Sequence, residues 1–374
     1  MKFYNAHYIE YTPDRWLSYD DVCLMPLPSD LSSRNDPSIN LSTSLTKNLR
    51  IKVPIISANM DTVTNAAMVI AMAKRGAYGI LHRFYKSDSD FLNDVKQVYE
   101  TTKAVAFSIG ANNQDITKVD DVLNITNGIN TIVTVDIAHG HLSKCIEQVK
   151  SLRKHFSNKI QIIAGNIVTP NAAVDLIQAG ADCLKVGISN GSHCSTRLTT
   201  GFGTPQLSAI MSIRRTINAL QTNVSLIADG GIRNSGDIVK ALAAGADSVM
   251  IGSLFSCTDE APGSLYYKES DNYYECQDNS TLYKETLYKK YRGQSSEDFL
   301  KDINKTSVSI EGEHSYFECK GPVTPILENL IAGIKSGMTY AGASSLEELN
   351  EKAIFLEISQ NAHIEGTPHG KSNN

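Results

Sequence analysis

The sequence predicts an α/β protein of the (β/α)8 barrel class, the TIM barrel. Two observations lead there. Eight short apolar runs recur along the chain, with starts 23 to 29 residues apart except for one gap of 41. Near-continuous apolar runs suit strands buried on both faces, as in a parallel sheet. Helical patterns fill the gaps, and two of them end in Gly-Ala-Asp just before the next run. Repeated strand-plus-helix units of this size make a barrel. A doubly wound open sheet is the alternative, and the count of eight favours the barrel.

The runs are Val53–Ser57, Tyr78–His82, Ala104–Ile109, Thr131–Asp136, Ile160–Gly165, Cys183–Gly187, Val224–Asp229 and Ser248–Gly252. Helical spacing covers Ala66–Lys74 and Phe91–Tyr99. Thr169 offers a cap, Pro170 suits the first turn and Gly180 closes the helix. Ser235–Gly245 repeats the plan of cap and closing Gly. The whole chain, 1–374, then reads as one barrel domain: an N-terminal arm over 1–50, the strands over 51–255, a hairpin and flap region over 256–320, and last helices with a tail over 321–374. Leu265–Gln277 reads as a hairpin over a Ser-Asp-Asn turn. The polar tail after Ala362 reads as disordered.

Composition narrows the function classes. Of 374 residues, 41% are hydrophobic and 20% charged, which is globular usage. The formal charge of −5 argues against a general nucleic-acid binder, which would carry a basic surface. No apolar stretch approaches the roughly 20 residues of a membrane-spanning helix. Met1–Glu10 lacks the apolar core of a signal peptide. Seven Cys without CxxC spacing suggest reduced thiols and a cytoplasmic enzyme.

Chemistry gathers at strand ends, where a barrel builds its active face. The sixth run leads into a Gly/Ser-rich loop, Val186–Arg197, holding Cys194. Backbone N–H groups there can cradle an anion, and a Cys beside Arg197 suits a thiolate. An ordinary surface loop is the plainer alternative. The seventh run ends in Ala228-Asp-Gly-Gly-Ile-Arg233 and the eighth in Ile251-Gly-Ser-Leu254. Two such turns in adjacent units suggest a phosphate site, with Asp229 placed to accept ribose hydroxyls; turn chemistry alone is the alternative.

These segments resemble the IMP dehydrogenase/GMP reductase family over nearly the whole chain. The matching landmarks are Leu17–Val22, Ile56–Val63, Val135–Gly140, Ala164–Thr169, the Cys194 loop, Ala228–Gly231, Tyr291–Gly293 and Leu330–Ile334. Ala58-Asn-Met-Asp61, Cys194-Ser-Thr-Arg197, Gly201–Ala209 and Ser295-Ser-Glu297 are similar to the reductase branch. The flap Arg-Tyr pair of dehydrogenases does not occur in Asp298–Lys320, and no CBS insert follows strand two. Ile232–Gly236, Ser253–Phe255, Tyr291–Gly293 and Ile364–Thr367 are more similar to the dehydrogenase branch. Ser189, Asn190, Gln294 and His139 depart from the usual pattern.

The resemblance implies NADPH-dependent reduction of GMP to IMP. IMP dehydrogenase, or a reductase of a deoxy or modified guanine nucleotide, is the alternative. It implies Cys194 as the nucleophile on purine C2, with Thr196 and Glu297 relaying a proton. The purine nucleoside monophosphate would meet Met60, Ser192, Asp229, Gly231, Gly252, Ser253, Tyr291, Gly293, Gln294 and Ser295. The dinucleotide would meet Asp136, Ala138, His139, Asn166 and Gly187. A potassium-like ion would face Ser189, Gly191 and Cys194, with Glu365, Gly366 and Thr367 reaching it across a subunit boundary. A homotetramer, with no nucleic-acid or membrane partner, completes what the resemblance implies.

Overall fold

In the computed structural model the barrel strands are β1 (Ile55–Ser57), β2 (Tyr78–Gly79), β3 (Val105–Ile109) and β4 (Thr131–Asp136), followed by β5 (Gln161–Ile167), β6 (Cys183–Val186), β7 (Ser225–Asp229) and β8 (Ser248–Ile251). The structure describes residues 3–5, 15–112, 115–128, 130–277, 286–302 and 311–366. All eight strands are parallel, in the order β2-β1-β8-β7-β6-β5-β4-β3. A parallel bridge between Leu81 and Phe107 joins the two ends and closes the barrel. Every residue of β3, β4 and β6 is buried, as continuous apolar runs require.

The Gly-Ala-Asp repeat has a structural cause. Each Asp accepts the backbone N–H of a neighbouring strand, Ile162 for Asp182 (2.8 Å) and Leu226 for Asp247 (2.7 Å). An arginine from the preceding helix then joins the glycine carbonyl to the same carboxylate, Arg153 at Gly180 and Asp182, Arg214 at Gly245 and Asp247. Helix and strand are thus locked at the bottom of two units. Helix Pro170–Ala179 carries its Thr169 cap and a left-handed Gly180, as expected. In helix Ser235–Ala243 the cap is Asn234, not Ser235, because the Asn234 side chain accepts the Asp237 N–H at 3.0 Å. The floor of the barrel is the hairpin Thr43–Thr46/Leu49–Ile51, tied to Gln161 through Thr46 and Asn48.

The flap region is more ordered than a hairpin. Leu265–Glu269 and Asn272–Glu275 form the expected antiparallel pair, and Leu287–Arg292 and His314–Glu318 extend it to four strands. The first residues of the tail differ from their expectation: Gln360–Glu365 is a helix, capped by Ser359 and resting on the turn Tyr19–Asp21, while the rest of the tail, 367–374, lies outside the described residues. No helix of the described residues is long and apolar enough to cross a membrane.

His82, just after β2, is buried and stacks on Tyr85 with centroids 4.2 Å apart. Its Nδ1 accepts the Phe84 N–H at 3.0 Å, a bond only the neutral ring can make. Burial pulls its pKa down to about 4, against a partial opposing pull from Asp94. The unfolded chain therefore binds the proton more tightly. Stability is full above about pH 6.5 and is lost as pH falls toward 4, by on the order of 3 kcal/mol. Urea titrations across that range should show the loss, and H82Q should flatten that part of the profile.

Candidate active site

The loop after β6 owes its shape to one glycine. Gly187 has φ +144°, and a Cβ there would lie 1.9 Å from the Asp229 carbonyl oxygen. Gln206 spans the gap, donating to Val186 O (2.8 Å) and Asp229 O (3.2 Å). The two unusual residues of the loop hold it. Asn190 donates to Gln206 Oε1 (2.7 Å) and accepts from Arg197 (3.2 Å), while Ser189 Oγ accepts the Arg197 N–H (3.1 Å). Cys194 is left exposed at the tip.

The Cys194 thiol donates to Thr196 Oγ1 at 3.2 Å, and the Thr196 hydroxyl donates to Glu311 Oε2 at 2.9 Å. This corrects the carboxylate expected there. Glu297 opens the short helix Glu297–Asp302, points to solvent and pairs with Lys301 one turn on (2.6 Å). Glu311 arrives because its segment threads between two others. The Ser195 N–H donates to Glu311 O, the Glu313 N–H to His193 O and the Gly293 N–H to Glu313 O, all at 2.9–3.1 Å. Gly312 sits between both, bridged to Cys194 and to Ser296.

The expected phosphate residues meet in part. Tyr291 OH donates to Met60 Sδ (3.5 Å), and a Cβ on Gly252 would lie 2.8 Å from that hydroxyl. Burial pushes the Tyr291 phenol up to about 12, against the pull of its hydrogen bond to Ser192. Ser192 Oγ lies 3.2 Å from His193 Nδ1, and the His193 ring packs edge-on against Tyr291 and Phe317. Gly231, in the loop after β7, packs on the Tyr19 ring, and Ser253 follows β8 in a turn. On the other side Gln294 donates to Asn59 O (2.9 Å), beside Met60, and Ser295 O accepts the Glu311 N–H.

A buried charge network lies beneath the mouth. Lys185 Nζ reaches Asp136 Oδ1 (2.9 Å) and Asp229 Oδ2 (2.8 Å). Asn166 Nδ2 donates to Gly187 O (2.6 Å) and Asp229 Oδ2 (2.9 Å), after a cis Gly165–Asn166 peptide. Burial works against the Asp136 charge, but Lys185 and then Arg83 hold its carboxyl below the usual range. Lys185 was missed in the sequence because a lone Lys in an apolar strand has no motif around it. Ala138 and His139 are exposed in the turn after β4, where the His139 carbonyl accepts the Leu142 N–H (3.3 Å) and its ring meets His141.

Asn166 Oδ1 is buried with no hydrogen-bond partner among the described residues, which fits the amide donor of a nicotinamide. Ser189, Gly191 and Cys194 lie on one loop, and the expected contact with the tail crosses a subunit boundary. Gly191 O already accepts the Cys194 N–H, leaving one lone pair for an ion. No described contact joins Glu365 or Gly366 to that loop within one chain, and Thr367 lies outside the described residues.

A model of the IMP dehydrogenase/GMP reductase domain matches residues 16–369. The chain belongs to the IMP dehydrogenase/GMP reductase family. It is 35% identical to inosine-5′-monophosphate dehydrogenase of Borreliella burgdorferi, over 94% of this chain and 96% of that protein. It is 30% identical to GMP reductase of Leishmania donovani, over 92% and 94%. The Cryptosporidium parvum inosine-5′-monophosphate dehydrogenase is 33% identical, over 94% of each. The protein is thus an oxidoreductase of a family that acts on purine nucleoside monophosphates with nicotinamide cofactors.

If Thr196 and Glu311 move a proton together, E311Q should lower kcat by about 10²–10⁴-fold with little change in nucleotide KM. E297Q gives the comparison under the same assay; a larger loss there would return the role to Glu297.

Proposed function

We propose that the protein is a GMP reductase, reducing GMP to IMP and ammonia with NADPH. The observation that carries this reading is the chain Cys194–Thr196–Glu311. Removal of the C2 amine needs a nucleophile at C2 and a proton for the departing nitrogen, and this chain offers both within hydrogen-bond contact.

The Cys194 thiol passes its proton through Thr196 to Glu311 as its sulfur attacks C2 and a C–S bond forms. The amine leaves as ammonia after gaining a proton through Thr196 from Glu311. That leaves a thioimidate on Cys194. The bound dinucleotide supplies the hydride for C2. The C–S bond then breaks, the thiolate returns and IMP is released. Asn166 Oδ1 and Asp136 orient the dinucleotide, Asp229 the nucleotide ribose, and Ser192, Gly231, Gly252, Ser253 and Tyr291 the phosphate. A potassium-like ion at the 189–194 loop, a homotetramer and a cytoplasmic setting belong to the same reading.

Water activation by an arginine lacks a candidate residue. The sequence has no arginine after Arg292, and Arg292 is committed to Asp61 and Asp302. The second reading is an IMP dehydrogenase, favoured by the names of the Borreliella burgdorferi and Cryptosporidium parvum relatives. In that reading the Thr196–Glu311 pair takes a proton from water instead of giving one to an amine.

Absorbance at 340 nm separates the two. A fall with GMP plus NADPH is expected, and no rise with IMP plus NAD. A rise with IMP and no fall with GMP would replace the proposal by the second reading. C194S should abolish turnover and leave nucleotide affinity within about threefold, since a nucleophile adds little to ground-state binding.

A further inference from the structure

We propose that Lys185 is a positioning residue that couples the two substrate subsites. One ammonium holds Asp229 for the nucleotide ribose and Asp136 for the dinucleotide. The inference rests on reading the site as one for a purine ribonucleotide and a dinucleotide.

Lys185 stands on β6 with its side chain 4% exposed. It faces two carboxylates from different strands, Asp136 at the end of β4 and Asp229 at the end of β7. Burial works against its charge, but Asp136 and Asp229 together raise its affinity for the proton above the ordinary value, so it is a fixed cation. One ammonium thus bonds a carboxylate from each of two strands, and it ties the position of Asp136 to that of Asp229.

The bonding of Asp229 shows what that charge is for. Oδ2 accepts from both Lys185 and Asn166, so the carboxylate is clamped at one oxygen. No described residue bonds Oδ1. A carboxylate clamped at one oxygen with the other open is a rigid acceptor for a ribose hydroxyl. Asn166 shares in the clamp and carries the orphan Oδ1 on the dinucleotide side. The two subsites are thus joined by two side chains, of which only Lys185 carries charge. Loss of a lysine that merely filled the barrel would weaken every ligand alike. Loss of a lysine that aims Asp229 would weaken ligands with a ribose 2′-hydroxyl more than those without.

The test compares GMP with its 2′-deoxy form. Affinities of wild type, K185Q and K185R for GMP, IMP and dGMP are measured by calorimetry without turnover, and NADPH KM by steady-state kinetics. K185Q should lose about tenfold or more in GMP affinity and less than about threefold in dGMP affinity. NADPH KM should rise by about tenfold, and K185R should recover part of both. Equal losses for GMP and dGMP, or an effect confined to one subsite, would overturn the inference. If K185Q does not fold, K185R decides. Its fork keeps the charge but moves the donors, so the GMP-to-dGMP ratio should fall by about threefold with a parallel rise in NADPH KM, and an unchanged ratio would overturn the inference. Nucleotide binding with an unaltered ratio defeats this inference alone. A wild type that binds none of the three nucleotides defeats the function reading and this inference with it.

Discussion

Gly312 lies where three separately positioned segments meet, and the active site depends on that meeting. The nucleophile loop follows β6, the Gly293–Ser296 turn follows the four-stranded flap sheet, and Glu311–Glu313 leads back into that sheet. Backbone hydrogen bonds bind all three, with Gly312 bridged to Cys194 on one side and Ser296 on the other. A Cβ at 312 would lie 3.0 Å from Ser296 N and 3.3 Å from Gly293 Cα. Those atoms are backbone and cannot swing aside as a side chain would. The consequence is geometric. Glu311 reaches Thr196 because its main chain is held by the Ser195 amide and the Ser295 carbonyl, so the Thr196–Glu311 contact is set by backbone geometry and not by side-chain search.

Beneath that surface constraint lies an electrostatic one. The barrel interior takes charge only where it is compensated, and Asp136, Lys185 and Asp229 compensate one another across three strands. Burying such groups brings little stability compared with apolar packing. What it gives is direction: carboxylates held in place at the open end of the barrel. The Gly-Ala-Asp locks do the opposite job at the other end. Asp182 and Asp247 spend their oxygens on strand amides and helix arginines, and neither faces the mouth. Two kinds of buried aspartate thus divide the barrel into a stability end and a chemical end.

Much of this was legible in the sequence for a simple reason. Strand burial on both faces leaves a continuous apolar run, and the eight runs fall where the eight strands are. Ala66–Lys74 and the Thr169–Gly180 helix were legible for the same kind of reason, since period and caps are local. What stayed hidden was non-local. Glu297 follows a Ser-Ser motif and looked placed for chemistry, but an i,i+4 lysine and a solvent-facing helix turn keep it at the surface. Glu311 lies in a polar stretch with no period, and only the backbone pairing around Gly312 gives it a position. Lys185 was hidden by its apolar neighbours. Asn190 and Ser189 looked like departures that would alter ligand contacts, yet in the structure they brace the nucleophile loop through Gln206 and Arg197.

The exchange of Glu297 for Glu311 also bears on what the site can do. Glu297 faces solvent on a helix turn, whereas Glu311 accepts from a hydroxyl that in turn contacts the thiol, so of the two only Glu311 is joined to Cys194 by hydrogen bonds. On the proposed reading such a chain can carry a proton in either direction, toward an amine leaving purine C2 or away from a water that attacks there. The chain alone then does not choose between the two reactions. The choice falls to the parts that meet the base and the dinucleotide, and on the proposed reading these are the Asn59–Gln294 contact beside Met60 and the Asp136–Lys185–Asp229 network beneath it.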